Sequence, residues 1–121
     1  LTLIGMIQRD IIPSIGKHIE YLCRLTKAQA EISEDIDVSY QKDLIKKLSD
    51  DINVLYKLNA ELQSAVKSAE KISDLLDKAR YYHDSILKLM QDIRRVVDKD
   101  EKIVANEFWP YPHYGELLFK I

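Results

Sequence analysis

Apolar side chains recur at Ile4, Ile7, Ile11, Ile15, Ile19, Leu22 and Leu25, at steps of three and four that keep one helical face apolar. This predicts a helix over residues 1–32. Pro13 removes a backbone donor and crowds the preceding turn, so a kink or break is expected near Ile11 and Ile12, with Gly16 loosening the next turn. The stretch 31–39 contains Ser33, Glu34, Asp35 and Asp37 and reads as a short acidic connection, with Asp37 and Ser39 as N-cap candidates. A second helix is expected over residues 40–69, carried by Leu44, Ile45, Leu48, Ile52, Leu55, Leu58, Leu62, Val66 and Ala69. After a brief turn, Ser73 and Asp74 offer the cap of a third helix, whose apolar set is Leu75, Leu76, Ala79, Tyr82, Ile86, Met90, Ile93, Val97 and Val104. Short connections place consecutive helices antiparallel. The expected fold is all-α, an up-down bundle of three long helices, or four if the first splits at Pro13.

The pattern changes at residue 107. Phe108, Trp109, Tyr111, Tyr114 and Phe119 bring half of the aromatic residues into 107–121, beside Pro110 and Pro112. Alternating prolines end helix and favour an extended path. We therefore divide the chain into a bundle, 1–106, and an aromatic tail, 107–121. The tail is too apolar to leave in water and is expected to pack on its own bundle or on a neighbour. Its candidate interaction residues are Phe108, Trp109, Pro110, Tyr111, Pro112, Tyr114, Leu117, Leu118 and Phe119.

Composition narrows the function. With 31% charged and 46% hydrophobic residues, and only three Gly and three Pro, the chain suits long helices and lacks material for Gly-rich phosphate loops. A net charge of −2 supplies no basic field for nucleic acid. Cys23 is the single cysteine, which excludes an internal disulfide and fits a reducing, cytoplasmic setting. No membrane span is expected, because Arg9, Asp10, Lys17 and Glu20 interrupt the most apolar stretch. The chain opens at Leu1 already inside a helical pattern and reads as a piece of a longer protein.

No catalytic or metal-binding set emerges from the titratable residues. His18, His83 and His113 fall in three separate segments without close-spaced ligand partners. Cys23 beside the first stripe reads as a small half-buried residue. The acidic clusters Glu34, Asp35 and Asp37, Asp50 and Asp51, and Asp98, Asp100 and Glu101 read as solvated faces. Arg94 and Arg95 are expected to pair with Asp98 or Gln91, and only one of Tyr81 and Tyr82 can face the core squarely.

The run Glu107, Phe108, Trp109, Pro110, Tyr111, Pro112, His113, Tyr114, Gly115, Glu116, Leu117, Leu118, Phe119 resembles the carboxyl-terminal end of type III glutamine synthetases, the large bacterial class, which close with Trp-Pro-x-Pro-x-Tyr-x-x-Leu-Leu-Phe. Ile11, Ile12 and Pro13 resemble the family's Ile-Leu-Pro step, and Leu44 through Leu48 its Leu-x-Lys-Lys-Leu run. Tyr81, Tyr82 and Asp84, then Val96, Val97 and Asp98, match two later stretches in the same order. His83 and His113 depart from the pattern, standing where Arg and Thr are usual. The resemblance implies a non-catalytic helical domain of an ATP-dependent glutamate–ammonia ligase. Such a parent uses ATP and Mg2+, passes through a γ-glutamyl phosphate and forms a homo-oligomeric ring. The ligands of ATP and metal belong to upstream domains of the parent, so no catalytic, cofactor or metal residue is carried onto this chain. The implied partner is the upstream catalytic domain of the same chain, and the implied role is domain packing and oligomer assembly. The alternative reading is a free-standing helical adaptor that binds another protein. A small-molecule site lined by Tyr81, Tyr82 and Arg94 is a third.

Overall fold

Leu48, Leu55, Leu62 and Ala69 stand at every seventh position and are all buried. Seven residues make close to two helical turns, so this spacing holds one seam facing inward along a straight rod. That rod is α3, Ser39–Glu70, 32 residues long and about 48 Å at ~1.5 Å per residue. The structure is a computed structural model that describes residues 2–105 and 107–110. A first rod before α3 consists of α1 (Leu3–Met6), a π-helical turn π1 (Ile7–Ile11) and α2 (Ile12–Ile32). A third rod after it consists of α4 (Leu75–Tyr81), a second π-helical turn π2 (Tyr82–Ile86) and α5 (Leu87–Glu101). The described residues contain no strand, and the protein is the all-α bundle of three long helices that the spacing predicts.

Both outer rods pack on α3, and side-chain bonds fix the direction of the first. Gln41 Nε2 donates to Gln29 Oε1 at 2.7 Å near one end, and Asn59 Nδ2 donates to the Ile4 carbonyl at 3.4 Å near the other. These pairs run antiparallel. Ile7, Ile11, Ile15 and Leu22 of the first rod and Ile86 and Ile93 of the third complete the core.

Pro13 does not split the first helix. The Ile12 N–H donates to the Ile7 carbonyl five residues back. The widened turn before Pro13 takes up a residue whose ring would clash with a tight α-turn and whose nitrogen has no proton to give. The Ser14 hydroxyl donates to the Asp10 carbonyl at 2.6 Å on the same turn. The helix therefore continues, with its apolar stripe intact on both sides of the insertion.

The ends are set by caps. Thr2 Oγ1 accepts from the Gly5 N–H at 3.2 Å, and Asp74 Oδ1 accepts from the Leu76 N–H at 3.3 Å. The start of α3 departs from the expected cap: Val38, not Asp37 or Ser39, holds the N-cap position and makes no side-chain cap bond, while Asp37 Oδ1 accepts from the N–H and the hydroxyl of Ser39, at 3.0 and 2.6 Å, in a local turn. These bonds hold the Asp37 carboxyl below its usual range. The third rod ends at Glu101, short of the expected Val104. The Ile103 and Val104 N–H groups both turn back to the Asp100 carbonyl, at 3.0 and 2.9 Å, and Val104 is buried there.

Several side chains lie elsewhere than their pattern implies. Leu75 is 82% exposed, and Leu76, Ala79, Tyr82 and Met90 also face solvent. The third rod instead turns Tyr81, Ile86, Leu89 and Ile93 toward the core. The step from Tyr81 to Ile86 is five residues, the π step, and a stripe traced in threes and fours crosses to the wrong face there. Cys23 is exposed rather than half-buried. No helix among the described residues is long and apolar enough to cross a membrane.

Candidate functional site

Two of the carboxylates expected on solvated faces are in the core. Asp51 of α3 is 7% exposed and Asp100 of α5 is 0% exposed. Asp51 stands three residues after Leu48 and four before Leu55, and Asp100 four before Val104, so both occupy stripe positions. Lys99 Nζ reaches Asp51 Oδ1 at 3.1 Å from the rim of the bundle. Neither Asp100 carboxyl oxygen has a hydrogen-bond donor, nor has Asp51 Oδ2. Two bare carboxylates side by side would be left unpaired in a low-dielectric setting, and a proton held between them relieves this. Burial first, then the Asp51 carboxyl as a neighbour, push the Asp100 pKa up to about 8, against a smaller opposing pull from Lys99. The folded chain therefore favours the neutral acid at Asp100, whose proton the neighbouring Asp51 carboxyl can accept.

The second feature is the root of the tail. Phe108 packs on His18 and Tyr21, with ring centroids 5.7 and 5.9 Å apart, and His18 stacks on Tyr21 at 5.9 Å. His18 is 6% exposed and its Nδ1 has no partner. Burial lowers its pKa, and the charge of Glu107 partly offsets this. Trp109 follows at 9% exposure and contributes to the lining of an open groove of about 500 Å³. One side of the groove comes from Leu3, Met6 and Ile11 of the first rod, the other from Leu87, Met90, Ile93 and Val97 of α5. Gln91, Arg94, Asp98 and Glu101 supply its polar atoms. The groove is a furrow between the first rod and α5, with Trp109 among its lining residues.

Of the candidate interaction residues, Phe108 and Trp109 lie against the bundle and Pro110 is exposed. Tyr111, Pro112, Tyr114, Leu117, Leu118 and Phe119 lie outside the described residues, as does His113. Arg95 pairs with Asp92 at 3.2 Å rather than with Asp98 or Gln91. Arg94 lines the groove, whereas Tyr81 and Tyr82 do not, so the three do not form one site there. His83 sits on the surface with its Nδ1 3.1 Å from Asp84 Oδ1. Among the described residues no group of three or more His, Cys, Asp or Glu side chains is placed to hold a metal ion.

The chain matches curated proteins over most of its own length. It is 30% identical over 101 residues to a glutamine synthetase of Bacteroides fragilis (strain YCH46), covering 84% of this chain and 14% of that protein. It is 29% identical over 126 aligned residues to a glutamine synthetase of Butyrivibrio fibrisolvens, covering 86% of this chain and 18% of the relative. It is 23% identical over 112 residues to a type-3 glutamine synthetase of Dictyostelium discoideum, covering 93% and 14%. The resemblance to glutamine synthetases is borne out over most of the chain, which is similar to a small part of those proteins. It spans between 14% and 18% of the length of these relatives. No family model matches the chain, and no solved structure matches it.

Proposed function

We propose that this bundle is the non-catalytic, carboxyl-terminal helical domain of a cytoplasmic glutamate–ammonia ligase of the glutamine synthetase type, supporting domain packing and assembly of a homo-oligomer. The observation that carries this reading is the alignment of 84% to 93% of this chain with no more than 18% of any of the three relatives. A piece so small relative to them is a part of a larger machine in this reading. ATP, Mg2+ and the γ-glutamyl phosphate are then handled by upstream residues of the longer protein. The bundle gives that protein a rigid body, and the aromatic tail docks on its own subunit or on a neighbour.

The exposed apolar side chains Leu75, Leu76, Tyr82 and Met90 support an unfinished surface, since side chains of this kind clustered on one rod favour contact with another protein surface over water. The test is deletion of residues 107–121 from the longer protein, followed by light scattering and a γ-glutamyl transfer assay. We expect the large assembly to fall apart and activity to fall with it. Unchanged assembly and activity would refute the role and favour an adaptor or a dispensable appendage.

A further inference from the structure

We propose that the end of α5 is a proton-operated latch: the acid proton at buried Asp100 keeps the turn Asp100–Val104 closed on the bundle, and its loss frees this turn together with Phe108 and Trp109 behind it.

Of the two buried carboxyls, only one is placed to move. Asp51 lies within the 32-residue α3 and is held by helix on both sides. Asp100 is the last residue but one of α5, Leu87–Glu101, and helix ends open at the least cost. Its side chain is 0% exposed and neither oxygen has a donor. Asp51 Oδ2 is equally bare, while Asp51 Oδ1 is taken by Lys99 Nζ at 3.1 Å. The same Asp100 carries the turn that follows. Its carbonyl accepts from the Ile103 and Val104 N–H groups, and Val104 is buried. An Asp100 side chain that swings out to water therefore draws Val104 out of the core with it. Trp109 shares the groove lining with Val97, Asp98 and Glu101 of this helix end, so it loses its footing in the same motion.

The charges acting on the closed acid are Asp51 of α3, which strengthens its hold on the proton, and Lys99 of α5, which weakens it. In water the carboxyl returns to its ordinary value of 3.8, against about 8 when buried. Opening between these values releases a proton, so the opening constant rises about tenfold per pH unit there and levels off above the buried value. At Phe108 the titratable neighbours are His18 and Tyr21 of α2, with Glu107 acting on His18. The lowered pKa of His18 works in the opposite sense and favours opening in acid.

Hydrogen exchange of the Ile103 and Val104 amides between pH 5 and pH 7, with and without low urea, tests the latch in the 121-residue chain. Protection, corrected for the intrinsic exchange rate, is expected to fall about a hundredfold over this range. It should stay well below that of the Leu55 amide in α3 and be nearly insensitive to urea, as a local opening is. Asp100→Asn should abolish the fall. Asp51→Asn should keep it but bring the levelling-off to lower pH, because burial remains while the neighbouring charge is gone. Protection independent of pH would overturn the proposal, as would a fall that persists in Asp100→Asn. So would Val104 protection equal to that of Leu55 with the same urea dependence, which would make global unfolding the only route to opening.

Discussion

Asp100 keeps its proton because the alternative is a second negative charge beside Asp51 in the apolar interior. Its pKa is raised to about 8 in the folded protein from an ordinary value of 3.8. The unfolded chain therefore releases this proton first, and between these two values folding binds a proton that the unfolded state lacks. Stability falls as pH rises through that window, by at most about 1.4 kcal/mol per pH unit, and levels off above the folded pKa. Replacing Asp100 with Asn removes the titration. Urea unfolding of Asp100→Asn beside the parent is expected to show a difference near zero at pH 4.5 that grows in favour of the variant toward pH 8. A constant difference across that range would sink the assignment. His18 works in the other direction. Its lowered pKa means the folded state favours the neutral ring, so stability is retained above 6.5 and lost on acidification below it. NMR titration of the ring should place its midpoint under 6.5, and His18→Phe should flatten the acid limb of the stability profile.

Burial divides the leucines more sharply than their spacing does. Leu55 is fully buried on α3, so Leu55→Ala is expected to cost about 2–5 kcal/mol. Leu75→Ala, at an 82% exposed position, should change stability by no more than about 0.5 kcal/mol in thermal melts. The pattern alone ranks the two alike. Steps of three and four locate all three rods and most of the core of the first two, because those rods keep one face inward and Pro13 is absorbed without rotating it. They fail in the third rod at Tyr81 to Ile86, where five residues make the turn. The buried acids are lost for a different reason. Asp51 sits beside Asp50 and Asp100 beside Lys99 and Glu101, and charged neighbours point to solvent, whereas spacing from Leu48, Leu55 and Val104 gives the face correctly. Proximity of Asp51 to Asp100 joins two rods across 49 positions, a relation no local pattern carries.

At the scale of the whole molecule, the chain shows a closed side and an open one. The seam of α3 is covered by both outer rods, while Leu75, Leu76, Tyr82, Leu87 and Met90 remain in water on the third. The double variant Leu76→Ser, Tyr82→Ser should leave the melting temperature of this chain almost unchanged. In the longer protein it should expose the junction to limited proteolysis and weaken assembly in sedimentation experiments; equal effects on both would make these side chains ordinary core. The two π turns bear on how such a bundle tolerates edits to its length. A residue removed from the middle of α3 swings everything beyond it by about 100° around the axis and tears the seam from its partners. Removing Asp84 from π2 instead turns the five-residue step into a four-residue one, leaving the flanking faces nearly where they were. Loss of Asp84 should therefore give a folded protein with a modestly shifted melting temperature, while loss of Lys57 should not fold cooperatively. The wide turns are the places where this bundle can gain or shed a residue over its history without changing which side faces inward.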